Sequence, residues 1–361
     1  MNKHIFLRKA HILTLSSLII LSGCSATNTT ETTSEDTSDA NTQTETTTES
    51  TSTDYNITFG DSITSDGGAT VDGDTVTITE SGSYNLSGTG TNQYLVIDDE
   101  NLEVELTFDN LNITSELAAI QVLNGKSLTI NLVGESSLED GTSNEELQAP
   151  IFIDEVETTL QGDGTLNLTG NCQEGFESNN DLIFESGTYN INAVDDGLNV
   201  GDNLIINGGT FNIDSNGDGL DSNGSMEING GTIYVSGGNN GNGPVDYAEE
   251  EGETFELNGG ILIAVGGNMG VSTTTETQLT KSGTANGTTI KVGDIEWTAP
   301  KEFSYYFVST PDLTDDTEIT VDGSETTDTT GQATGIGGGG RGDMGSAPTD
   351  MEGMTPPGQD A

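Results

Sequence analysis

The sequence predicts an all-β fold, a parallel β-helix wound in coils of about 22 residues and closed at its C-terminal end by further strands. Three observations carry this. Apolar and polar residues alternate over short runs such as Thr75-Val76-Thr77-Ile78-Thr79 and Leu128-Thr129-Ile130-Asn131-Leu132, the period of half-buried strands. No stretch sustains a 3.6-residue apolar period of useful length. Apolar side chains also recur at a step of 22 residues, in four columns: Tyr189, Phe211, Ile233; Ile191, Ile213, Val235; Leu182, Leu204, Met226; and Phe176, Leu198, Leu220. A unit of that size, holding three short strands, suits one coil of a solenoid that climbs about 4.8 Å per turn. The Asn-Gly-Gly steps at Asn207 and Asn229 supply corners where glycine accepts positive φ.

The elements follow in chain order. Residues 1–23 read as an export signal: Lys3, Arg8 and Lys9 precede an apolar stretch from Ile12 to Leu21, too short for a comfortable membrane span. Leu21-Ser22-Gly23-Cys24 resembles a bacterial lipobox, which implies cleavage before Cys24 and a lipid anchor on its sulfur. The expected location is therefore extracytoplasmic, with the membrane a partner only through that anchor. Residues 24–53 are Ser, Thr, Glu, Asp and Asn with almost no apolar side chain, a tether that cannot bury enough surface to offset its ordering entropy. Residues 54–330 form the β domain. Weaker coils extend the repeat through Ala119-Ile120-Gln121-Val122, Pro150-Ile151-Phe152-Ile153 and Asn258-Gly259-Gly260-Ile261. Strands from Thr298 to Gly323 are expected to cap the open end. Residues 331–361 are a Gly, Met and Pro tail without period. An Arg341-Gly342-Asp343 triplet within it reads as a chance match.

Charge narrows the partners. Asp and Glu total 60 against 8 Lys and Arg, a formal charge of −52. So acidic a surface repels phosphate backbones and excludes nucleic acid. Loss of residues 1–23 removes three basic residues and no acid, leaving −55, and takes both histidines, His4 and His11. With Cys24 acylated, Cys172 has no histidine to activate it and reads as a buried, small apolar residue.

The acids are periodic. Glu174, Asp196 and Asp218 fall 22 residues apart, as do Glu177, Asn199 and Asp221, and Asp246 continues the second row after the insertion Gly237–Gly243. Like charges stacked at strand spacing repel. Raised pKa values or a bound cation resolve this. Calcium is the cation expected outside a cell, since clustered carboxylate and amide oxygens are its ligands. Asp214-Ser215-Asn216-Gly217-Asp218-Gly219 matches the D-x-N-x-D-G opening of a calcium loop, although its twelfth position, Ser225, is not Glu. The candidate calcium ligands are Glu174, Asp195, Asp196, Asp214, Asn216, Asp218, Asp221 and Asp246. Asn199, Asp221, Asp246 and Tyr247 are the candidate sugar contacts. The opposing reading is a solvated acidic face on an acidic protein.

Asp195-Asp196-Gly197-Leu198, Asn207-Gly208-Gly209-Thr210, Gly217-Asp218-Gly219-Leu220-Asp221-Ser222 and Asn229-Gly230-Gly231-Thr232 together resemble the bacterial carbohydrate-binding domain-containing lipoprotein family, which includes a clostridial polygalacturonate-binding β-helix. Residues Phe303 to Gly323 are similar to its closing strands. The resemblance covers about residues 55–325. It implies a right-handed helix, bound calcium and affinity for acidic, pectin-like polysaccharide. Several members carry Ser-Lys-Asp where this chain has Ser178-Asn179-Asn180 and Val200-Gly201-Asp202, so no lysine stands ready for a uronate.

Pectin-degrading enzymes share this fold class, but a lyase needs a basic residue beside its metal. Residues 54–330 contain no arginine or histidine, and Lys126, Lys281, Lys291 and Lys301 lie off the 22-residue rows. The sequence therefore predicts a non-catalytic binder. The alternative is a structural or adhesive surface protein.

Overall fold

The computed structural model describes residues 54–142, 149–239, 241–249, 252–267, 271–274, 277–327 and 329–330. The predicted signal segment, Cys24, the tether and the tail lie outside them. The described part is all-β, with no α-helix among the described residues. Its strands form two sheets, one of 21 strands and one of nine.

The repeat in the sequence is a register in space. Strands Thr188–Ala193, Thr210–Ser215 and Thr232–Ser236 lie side by side in parallel, with Tyr189 opposite Phe211 and Phe211 opposite Ile233. Leu182, Leu204 and Met226 are partners in a second stack. Phe176, Leu198 and Leu220 are partners in the nine-stranded sheet. Each of the four columns is thus a line of register partners. Val245, Phe255 and Leu262 extend three of them by one repeat. Ile120 and Ile151 extend the nine-stranded sheet in the other direction.

Alternation places every second side chain of these strands inward. Tyr189, Phe211 and Ile233 are wholly buried, while Thr188, Asn190 and Asn212 on the same strands are half-buried or exposed. One core cluster runs from Ile57 to Phe307. Aromatic rings concentrate where the repeat is most regular: the Phe184 ring meets Tyr189 edge-on at 4.8 Å, Phe211 at 5.1 Å and Phe176 at 6.4 Å between centroids. Tyr189 stacks on Phe211 at 4.8 Å.

Two kinds of glycine make the corners. Gly209, Gly231 and Gly260 hold φ between 81° and 100°, a region that disfavours any Cβ. Gly175, Gly197 and Gly219 answer a different demand, close approach. A Cβ on Gly197 would lie 2.5 Å from the Gly219 carbonyl oxygen of the following repeat, and those on Gly175 and Gly219 would meet the Gly197 and Pro244 carbonyls at 2.6 Å. These carbonyls accept the backbone N–H bonds of Phe176, Leu198 and Leu220. Gly197→Ala is therefore expected to cost about 1–3 kcal/mol through overpacking, read as a lower urea midpoint. An unchanged midpoint would mean that the repeats slide apart freely at this corner.

The parallel stacking ends in a change of direction. Ile295–Ser309 runs antiparallel to Ile261–Gly266, pairing Ile263 with Val308 and Ala264 with Phe307, and Thr280–Val292 folds back on it as a long hairpin. A second core cluster fills this end around Ile263, Tyr306 and Val308. Lys281 is 3 % exposed and its Nζ donates to the Asp315 and Thr317 carbonyls, tying the segment after Ser309 to the hairpin. At the other end Asp54–Phe59 pairs in parallel with Gly82–Thr91 and is flanked by Thr64–Ser65.

Candidate functional site

The candidate site lies where the larger sheet passes into the nine-stranded one. Asp-Gly-Leu sits at this passage in successive repeats because the glycine allows the close approach described above and the leucine enters the core. The acid before the glycine is left at the edge. Gly175 N–H donates to the Asp196 carbonyl and Gly197 N–H to the Asp218 carbonyl, so Glu174, Asp196 and Asp218 form a row with one carboxylate per repeat. Asp195 stands beside it, its carbonyl accepting from Gly217 N–H.

Their side chains do structural work as well. Asp196 Oδ1 accepts the Asp218 N–H and Asp218 Oδ1 accepts the Gly243 N–H, both at 2.6 Å. Each aspartate thus satisfies a backbone donor of the following repeat, a charge-assisted bond. Glu174 differs. It is 6 % exposed; its Oε1 takes only a 3.4 Å bond from Asn199 Nδ2, and its Oε2 has no hydrogen-bond partner. Burial, with Asp196, Asp195 and Glu177 nearby, pushes its pKa up to about 9. Burial is also the main cause of the rise to about 6 at Asp196 and about 7 at Asp218, opposed by those backbone bonds.

The second row is a register of the nine-stranded sheet. Glu177, Asn199, Asp221 and Asp246 are successive partners on its outward side. Asp246 therefore continues the row across the insertion. Asn199 bridges the two rows through its bond to Glu174.

Three predicted residues lie apart. Asp214 sits on the outward side of strand Thr210–Ser215 in the other sheet, ion-paired with Lys301 at 2.9 Å. Asn216 is exposed, and its carbonyl accepts from Asn242 Nδ2 at 3.3 Å. Tyr247 follows Asp246 and so alternates to the inner side, opposite buried Ser222. Its ring meets Phe255 at 5.8 Å and its hydroxyl lies 3.2 Å from Ser272 Oγ. Tyr247 thus lies on the opposite face of its strand from Asp246, half-buried against the core.

The 22-residue step missed Asp140. It is 2 % exposed, its Oδ1 accepts the Asn171 N–H at 2.6 Å, its Oδ2 has no hydrogen-bond partner, and burial raises its pKa to about 6. It adjoins the register pair Glu139 and Thr169, which lies 30 residues apart because residues between the two strands lengthen that repeat. No periodic signal could have found it.

The donor chemistry suits a hard cation, since carboxylate and amide oxygens are calcium's ligands and Glu174 offers a buried oxygen with no protein donor. Among the described residues, however, no three acids form a ready cage for a metal ion.

Comparison with known proteins places the chain. Residues 72–303, well over half of it, match the family model described as carbohydrate-binding domain-containing protein. A solved structure, the polysaccharide lyase-like protein from C. thermocellum in a gadolinium derivative, is 26% identical over 51% of this chain and 83% of its own, with a TM-score of 0.49. No curated protein matches. This chain belongs to the carbohydrate-binding domain-containing family.

Proposed function

We propose that this protein is a non-catalytic binder of acidic, pectin-like polysaccharide, held outside the cell by a lipid on Cys24, with its domain wound as a right-handed parallel β-helix and charged with calcium. Family membership supports carbohydrate binding. Parallel register at 22-residue steps in both sheets supports the helical winding.

The observation that carries the calcium reading is the row Glu174, Asp196 and Asp218, with a buried Glu174 oxygen that no protein group satisfies. An ion here would draw on this row and on Asp221 and Asp246 of the adjacent outward row, fewer than three carboxylates at a time, with water completing its shell. Bound calcium supplies positive charge to a surface that otherwise repels uronates. A binding role also fits the basic residues: Lys126 pairs with Glu103, Lys301 with Asp214, and Lys281 is buried against carbonyls. The remaining lysine, Lys291, lies opposite Glu296 in the C-terminal hairpin.

Affinity electrophoresis of the full chain in gels containing polygalacturonate, with and without a chelator, tests the proposal. Retardation that calcium restores and chelation abolishes is expected, without release of unsaturated uronate. Retardation unchanged by complete chelation would exclude the calcium bridge, and unsaturated products would make the protein a lyase.

A second reading rests on the backbone bonds of Asp196 and Asp218, which give the row a purely structural task. Asp218→Asn separates the two, since an amide oxygen still accepts the Gly243 N–H. It should lower calcium uptake at least tenfold while the metal-free protein stays as stable or gains stability. Unchanged calcium uptake would leave the row with the structural task alone.

A further inference from the structure

A second face of the molecule has the opposite electrical character. Strands Thr165–Gly170, Thr188–Ala193 and Thr210–Ser215 each present three side chains outward, and of these only Asp214 is charged; on the same side of Thr232–Ser236, Tyr234 packs against the second core cluster and Ser236 is buried. Its charge is met by Lys301, whose ammonium also donates to the Ser215 carbonyl. The chain as a whole carries −52. A neutral strip three strands wide is therefore a local exception on a polyanion.

The strip is built of hydroxyls and amides in register. Thr188, Thr210 and Thr232 are successive partners, and so are Asn190, Asn212 and Tyr234. Asn212 Nδ2 donates to Asn190 Oδ1 and Asn190 Nδ2 to Asn167 Oδ1, both at 2.8 Å. That row fixes the amide planes and uses one N–H of Asn190 and one of Asn212, leaving the other of each directed away from the row, while Asn167 Nδ2 donates to Glu135 Oε1 and to the Ser136 carbonyl. Two donors thus stand one strand spacing apart, about 4.8 Å.

At one end the amide row gives way to aromatics. Tyr234 stacks on Trp297 of strand Ile295–Ser309 with centroids 5.3 Å apart and planes 29° from parallel, and both rings are half-buried. Ser236, on the same side of its strand as Tyr234, is 1 % exposed, and its hydroxyl has no hydrogen-bond partner. Half-exposed rings beside ordered polar donors are the composition of a sugar subsite.

We propose that this face binds an uncharged polysaccharide, laid along the Thr and Asn rows with a sugar ring against Trp297, independently of calcium and of the acidic rows. Charge selects the occupant. A uronate chain gains little from a strip whose lysine, Lys301, is already paired with Asp214, and it approaches through the field of the whole protein, whereas a neutral glycan incurs no such repulsion. This goes beyond the acidic-polysaccharide reading and does not depend on it.

Trp297 is the single tryptophan of the chain, so its fluorescence reports occupancy directly. The full chain is titrated in chelator with soluble mixed-linkage β-glucan and with xylan as uncharged probes, and separately with polygalacturonate plus calcium. At least one uncharged probe should shift the emission and retard the protein in affinity gels, whereas polygalacturonate should leave the emission unmoved. Trp297→Ala, and Thr210→Asp, which puts a charge on the strip without touching the amide row, should each weaken the uncharged probe at least tenfold. Both should keep the far-ultraviolet circular dichroism and any calcium-dependent retardation by polygalacturonate. The proposal is overturned if neither uncharged probe binds the folded protein, or if both variants bind as the parent does. It is equally overturned if sedimentation shows the strip pairing two copies that Thr210→Asp separates. Failure of the polygalacturonate arm alone would strike the calcium reading and leave this one standing.

Discussion

Truncating Phe184 to alanine is expected to destabilise the fold by about 3–5 kcal/mol, the range for removing a fully buried aromatic ring from a well-packed core. Phe184 has no exposed surface and touches the rings of Phe176 and Tyr189 in its own repeat and of Phe211 in the next. Its loss empties a place that backbones held in register on both sides cannot close. Urea unfolding of the full chain, followed by circular dichroism, measures the cost. Phe184→Leu, which keeps most of the volume, should recover more than half of it. A loss of less than about 1 kcal/mol for the alanine variant would mean that the repeats relax into the cavity. The interior would then be softer than its aromatic contacts imply.

Without divalent cations, the folded protein should lose stability as pH rises from mildly acidic to mildly alkaline. The sign follows from the acids of the first row. Glu174 titrates near 9 in the fold against an ordinary 4.5, and Asp196 and Asp218 near 6 and 7 against 3.8. The native state therefore holds protons that the unfolded chain has released. The stabilisation is complete below the unfolded pKa values and disappears as pH passes through the folded ones. Within that window one such proton gives a slope of about 1.4 kcal/mol per pH unit. Water entry and mutual coupling make the combined effect less than additive. Thermal melts in chelator across that range check this. Glu174→Gln, neutral at every pH, should flatten the upper part of the curve, and added calcium should flatten the parent's. A melting temperature that rises with pH in chelator would show that the row is held ionised by groups outside it.

Much of this arrangement was legible in the sequence. The apolar columns could be read because identical repeat lengths place equivalent residues at one spacing, and alternation then assigns each side chain to a face. Asp246 could be carried across its insertion because the Gly-rich run Gly237–Gly243 marks where the extra residues sit, and the same alternation assigns Tyr247 to the other face of its strand. Asp140 could not be read, since its repeat is lengthened and the period is lost while the register survives. Lys301 and Asp214 lie far apart in the chain, and only the return of the C-terminal hairpin brings them within 2.9 Å. The Trp297 stack on Tyr234 is hidden for the same reason.

The sequence by itself determined an all-β chain, the stacking of its core columns and the acids that share a row, because local periodicity dictates which side chains align. Tertiary structure decided what those side chains meet. It turned two aspartates into acceptors for the backbone of the following repeat, left one oxygen of Glu174 buried without a partner, and neutralised Asp214 with a lysine from the hairpin. Such contacts depend on burial and on the approach of distant segments, which no spacing in the chain encodes.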